Sequence, residues 1–217
     1  QQVAAAAERS DVTAYVGGGT AIRIDFAQRV SARLPWLVGA VVLVSMLLLF
    51  AAFRSVAIPL KAAAMNLLSV GAAYGAVVAV FQWGWGSGLF GVDEAIPVDA
   101  YVPVFLFAIL FGLSMDYEVF LLSAIRERRH EGADDATAVA EGIGSTARVI
   151  TSAAAVMVAV FASFLFSSEA VTRMFGVGLT TAIVVDVTLV RLLLLPSTMA
   201  LLGHWNWWPG HPEEQAT

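Results

Sequence analysis

The stretch AYVPVFLFAILFGLSMDYEVFLLSAI, residues 100–125, decides the fold. A helix crossing the roughly 30 Å hydrocarbon core of a bilayer needs about 20 apolar residues. This run supplies them, with Asp116 and Glu118 as its only charges. Comparable runs recur at about 36–53, 62–83, 148–168 and 173–202. The chain of 217 residues is 59% hydrophobic and 13% charged, with a mean hydropathy of +0.80, far from the composition of a soluble domain. The fold class read from these runs is an all-α membrane protein with five transmembrane helices.

The net charge of −5 leaves no basic face to neutralise phosphates, which argues against a nucleic-acid partner. There is no cysteine, so disulfides and thiolate metal sites are excluded. His130, His204 and His211 stand in polar or terminal segments without paired ligands at useful spacing. Neither a metal nor a cofactor is expected. The opening QQVAAAAERSD has no initiator Met, basic n-region or apolar h-region, so Gln1 reads as a cut or processed end.

Orientation follows from the loops. Arg54 and Lys61 fall in the first loop and Arg126, Arg128, Arg129 and Arg148 in or beside the third, while the second has none and the fourth only Arg173. Positive charge favours the cytoplasmic side, so the N-terminus and the loop WGWGSGLFGVDEAIP are expected outside a cell membrane and the tail 204–217 inside. Arg9, Arg23, Arg29 and Arg33 run against this bias.

Three divisions are expected: residues 1–34, the bundle 35–203, and the cytoplasmic tail 204–217. Within the first, IRIDFAQRVSARL (22–34) spaces Ile22, Phe26, Val30 and Leu34 one turn apart. That is an amphipathic helix for the outer interface, leading into the first span through Pro35, or else a solvent-facing helix of an outer domain. VGGGTA lacks the Lys of a phosphate-cradling loop and reads as a turn. The third loop predicts a short helix over 134–141 after a break at Gly132. Trp205, Trp207 and Trp208 suit anchoring at the headgroups.

The chemistry lies in the carboxylates. An ionised Asp at mid-bilayer costs about 2.5–3.5 kcal/mol on insertion scales, so Asp116 is expected to face a bundle interior or wet cavity and to load and release a proton. A structural, hydrogen-bonded carboxylate is the competing reading. Tyr117 can donate and accept. It points about 100° away from Asp116 and so addresses a different neighbour. Gly112, one turn before Asp116, admits a close helix. Glu118 lies on yet another face, to snorkel or to meet an arginine. Asp186 and Arg191, five residues apart, are poorly spaced for a pair within one helix, so each is expected to find a partner elsewhere. Thr146, Thr151 and Ser152 offer hydroxyls, as relay support or as ordinary backbone-bonded groups.

These residues carry a resemblance. FGLSMDYEVFLLSAIRE, GIGSTARVITSAA and FGVGLTTAIVVDVTLVRLLLLPSTMALLGHWNWW resemble the C-terminal half of an MMPL transporter of the resistance-nodulation-division superfamily, and VGGGTAIRIDF resembles the end of its second outer porter domain. The resemblance implies twelve helices in two pseudo-repeats, with the five spans here as helices eight to twelve and a short outer N-terminal remnant. It implies a proton-driven exporter of lipids or hydrophobic compounds, not an enzyme. Asp116 would carry the proton, Tyr117 would support the carboxylate of the opposite repeat, and Thr151 and Ser152 would lie in the hydroxyl-rich helix beside them. Possible relay support extends to Glu118 and Asp186. The implied partners are a missing N-terminal transmembrane half, in the same or a separate chain, protons, and the hydrophobic cargo.

Two other classes stay in view. One is a non-transporting membrane scaffold or vestigial fragment. The other is an intramembrane aspartyl protease using Asp116 and Asp186, disfavoured because Met115 and Val185, not glycines, precede them.

Overall fold

A computed structural model describes residues 17–86, 88 and 95–209. The first outer arginine of the sequence reading, Arg9, the acidic end of the second loop and His211 lie outside the described residues, as does most of the N-terminal segment. Among the described residues six α-helices follow in order: α1 Gly19–Phe53, α2 Ala57–Val77, α3 Val102–His130, α4 Asp135–Ser163, α5 Ala170–Val185 and α6 Leu195–Leu202. A π-helical turn, Val78–Gln82, extends α2, and a longer π segment, Asp186–Leu194, joins α5 to α6. Five helical rods are thus long and apolar enough to cross a membrane. No strand occurs among the described residues.

Two rods differ from the sequence expectation. Residues 22–34 are helical, but the helix does not stop at Pro35: α1 runs unbroken for 35 residues, about 52 Å. Pro35 lies inside it, costing one backbone hydrogen bond without ending the helix. The expected short helix at 134–141 is likewise not separate. Asp134 is extended, Asp135 sits in the first turn where a negative charge suits the helix dipole, and α4 continues to Ser163. Arg148 therefore lies more than three turns inside α4 rather than beside a loop.

The reversal between α3 and α4 uses Gly132 at φ 97°, a left-handed conformation open to glycine at little cost. Where these two helices leave the turn they come very close. A Cβ on Gly142 would stand 2.5 Å from Ile125 Cγ1 and 2.9 Å from its Cα, so hydrogen is the only side chain that fits there.

Packing divides the bundle into two apolar clusters. One, with Leu49, Phe53, Ile58, Leu122, Ile125 and Met199, lies toward the end where the α1–α2 and α3–α4 turns and the C-terminal segment meet. The other, with Val77, Phe81, Phe107, Met174 and Leu179, lies toward the opposite end. Between them, in sequence and in space, the helices bury a layer of polar residues: Asn66 and Ser69 on α2, Ser114 and Glu118 on α3, and Asp186 and Arg191 in the π segment.

The last three tryptophans do not share one role. Trp205 and Trp208 are exposed, but Trp207 is buried, with the Arg129 guanidinium 5.0 Å from its ring centre. Cation–π attraction and burial hold it inside, away from the headgroup position expected of all three.

Candidate functional site

The polar layer is organised around Asp186. Arg191 Nε donates to its Oδ2 at 2.7 Å. Ser69 Oγ at 3.3 Å and Ser114 Oγ at 3.2 Å donate to Oδ1. Arg191 also donates from Nη2 to the Ser114 carbonyl at 2.9 Å. Every one of these side chains is buried. A buried carboxylate is tolerated when paired and hydrogen-bonded, and Asp186 is both.

The sequence reading judged Asp186 and Arg191 poorly spaced to pair with each other and gave each a partner elsewhere; they do pair, and each also bonds Ser114 of α3. Regular α-helix would separate residues five apart by about 140° around the axis. The segment instead has π geometry, whose i→i+5 bonding brings such residues onto one face. Pro196 follows immediately in α6. It cannot donate to the carbonyl of Leu192 four residues back, and its ring crowds that carbonyl, so the preceding turn opens.

Ser114 links Asp186 to a second carboxylate. Its hydroxyl is also within donating reach of Asn66 Oδ1, and Asn66 Nδ2 donates to Glu118 Oε2 at 3.5 Å. A hydroxyl has one proton, so at any instant Ser114 donates to Asn66 or to Asp186. Asn66, Ser69 and Ser114 were not among the residues singled out from sequence. The signal that could have found Asn66 is a lone amide in an otherwise apolar span.

A small cavity of about 20 Å³, room for about one water, adjoins this layer. It is lined by Ser69, Ser114, Tyr117, Met157 and Asp186 among others. The Tyr117 hydroxyl lies 3.9 Å from Met157 Sδ on α4, and the Arg191 guanidinium sits 5.2 Å from its ring centre. The phenol therefore faces into the bundle beside the ion pair.

Asp116 does the opposite. It is exposed, and among the described residues it makes no hydrogen bond or ion pair. It belongs to one stripe of exposed residues on α3: Ile109, Gly112, Asp116, Val119, Phe120 and Ser123. A Cβ at Gly112 would touch nothing within 4 Å. Asp116 and Asp186 thus occupy different environments, and the facing pair that an aspartyl protease requires is not formed within this chain.

The hydroxyls of α4 turn onto their own helix. Thr151 Oγ1 donates to the Ala147 carbonyl at 2.7 Å and Ser152 Oγ to that of Val149 at 3.0 Å, both exposed. Thr146 Oγ1, buried, bonds the Gly142 carbonyl at 2.8 Å. Among the described residues, no three His, Cys, Asp or Glu side chains gather as metal ligands.

Comparison with known proteins assigns these features to a family. The model of the MMPL family matches residues 1–217. The heme uptake protein MmpL11 of Mycobacterium tuberculosis is 48% identical over 193 residues, 89% of this chain and 20% of that protein. The mycolic acid-containing lipids exporter MmpL11 of Mycolicibacterium smegmatis is 46% identical over 198 residues, 91% of this chain and 21% of its own length. The trehalose monomycolate exporter MmpL3 of the same organism is 36% identical over 197 residues, again 91% of this chain and 19% of its own. The chain spans about a fifth of the length of these relatives. With five membrane-crossing helices and a match along its whole length, the chain belongs to the MMPL family of membrane transporters.

Proposed function

We propose that this chain forms the C-terminal membrane part, helices eight to twelve, of a proton-motive-force-driven exporter of lipids or hydrophobic compounds. In this reading Asp116 is the group that carries the proton. The observation that supports it most is the placement of Asp116 on the exposed stripe of α3. An ionised Asp turned to lipid costs about 2.5–3.5 kcal/mol or more. A second transmembrane half covering that stripe removes this cost and supplies the carboxylate with partners. Gly112, one turn away with open space over it, lets a helix of that half approach closely.

Tyr117 stands between the outward carboxylate and the inner ion pair, its ring against Arg191. In this reading the phenol, now beside Met157, supports the carboxylate of the opposite repeat. Glu118 and Asp186 support the relay from inside. Thr151 and Ser152, bonded to their own backbone, give it minor support through their position beside α3. The cargo belongs to the class named for the relatives, lipids such as mycolates, with heme as the hydrophobic alternative. The end carrying Arg54, Lys61, Arg126, Arg128 and Arg129 faces the cytoplasm by the positive-inside bias. The N-terminus then lies outside, and residues 1–34 belong to the end of an outer porter domain, their described part beginning α1.

In the complete protein, Asp116→Asn should abolish export, measured as lipid reaching the outer surface, while the amount of protein in the membrane stays at the wild-type level. Undiminished export would sink the reading.

A further inference from the structure

The polar layer does not end at Asp186. It continues as a file toward the clasped end of the bundle: Asp186, Ser114, Asn66, Glu118, Lys61 and Asn206. Lys61, on α2, lies close enough to Glu118 for their charges to interact. Its ammonium donates to Asn206 Oδ1. Asn206 is 1% exposed, and its own amide donates to the carbonyls of Met199 at 2.8 Å and Gly203 at 2.6 Å. A buried glutamate in a membrane-crossing helix is a functional-site candidate by default, because a charge at that depth is expensive.

The last member of the file sits in a segment fastened from several sides. Ser55 Oγ donates to the Asn206 carbonyl and the Val56 amide to that of Trp208, at 2.5 and 3.0 Å. Trp207 is held under Arg129, which pairs with Asp135 at 2.7 Å. Residues 203–209 therefore close the end of the bundle over Lys61, tied to the α1–α2 turn on one side and the α3–α4 turn on the other.

We infer that Glu118 is a second proton-holding group on the cytoplasmic side of the relay, and that residues 203–209, through Asn206, are the stopper of its outlet. This rests on the proton-coupled reading above. A proton arriving at the Glu118 carboxylate makes it a neutral acid. When the stopper lifts, that proton passes to cytoplasmic water and the carboxylate is restored. As an ammonium, Lys61 favours the emptied carboxylate. The charges acting on Glu118 come from two elements: Lys61 on α2, and Asp186 and Arg191 in the π segment. Asn66, also on α2, holds it by hydrogen bonding.

The test is proton influx down an imposed pH gradient, read by a trapped dye in proteoliposomes of the complete protein. Glu118→Gln should lower the flux by about 10²-fold, the low end for a positioned proton-transfer group, and Glu118→Asp should restore much of it. Asn206→Ala should raise the flux seen without cargo several-fold above the wild-type protein. If Asp116→Asn abolishes flux while Glu118→Gln and Asn206→Ala both behave as wild type, the outlet is refuted and proton coupling stands. If Asp116→Asn itself retains full flux, the coupled reading fails and the outlet with it. Should Glu118→Gln not fold, Asn206→Ala decides alone: a cargo-independent leak supports the stopper, and an unchanged flux overturns it.

Discussion

Asp116 and Asp186 are both aspartates in membrane-crossing helices, and they are treated in opposite ways. Asp186 is 8% exposed, bound by one guanidinium and two hydroxyls. Asp116 is exposed, on a stripe of α3 whose neighbours Ile109, Gly112 and Phe120 are exposed as well. A bilayer supplies no hydrogen bonds, so the first is complete within this segment and the second is not. The contrast separates what holds the five helices together from the face that the proposed second half would cover.

The inner side should be the fragile one. Arg191→Ala leaves Asp186 buried without its cation, and breaking a buried pair this way costs about 3–5 kcal/mol. The expected result is loss of most monodisperse protein in detergent. A variant with wild-type yield and melting temperature would show that the pair does not hold the bundle. Gly142→Ala comes next: the added methyl meets Ile125 side chain and backbone, an overpacking worth about 1–3 kcal/mol, read as a lowered melting temperature.

How much of this was legible in the sequence follows the same divide. The five spans are written in apolar runs that leave few alternatives, and the turn at Gly132 was legible because glycine alone adopts φ 97° cheaply. The Asp186–Arg191 pair was not, since its spacing was judged on α-helical geometry and the π segment changes which residues share a face. The continuation of α1 through Pro35 was missed because a proline inside a helix removes a bond without obliging a break when the helix is otherwise apolar and long. The polar file through Asn66, Ser114 and Asn206 depends on contacts between residues as far apart as 145 positions, and periodicity within one helix carries no such information.

On the outer side the expected stability effects are small. Gly112→Ala adds a methyl into open space, so melting of this segment should shift by no more than a surface substitution does, about 0.5 kcal/mol. If the stripe is an interface in the complete protein, Gly112→Leu there should nevertheless impair export, while wild-type export would mean nothing packs against it. The smallest effect is expected for Thr151→Ala with Ser152→Ala, whose hydroxyls serve their own helix. Proton flux and melting should stay near wild type, and a collapse of flux would move both residues into the centre of the relay.

The most direct test of the central claim asks what covers the α3 stripe. The segment has no cysteine of its own, so Gly112→Cys places one thiol on that face, to be paired with cysteines introduced one at a time along the remaining transmembrane helices of the complete protein. The account predicts efficient disulfide formation with positions on one helix of the other half, spaced three to four residues apart. A thiol that forms no such bond and reacts freely with a lipid-soluble maleimide would place the stripe, and Asp116 with it, against lipid, and would contradict the account.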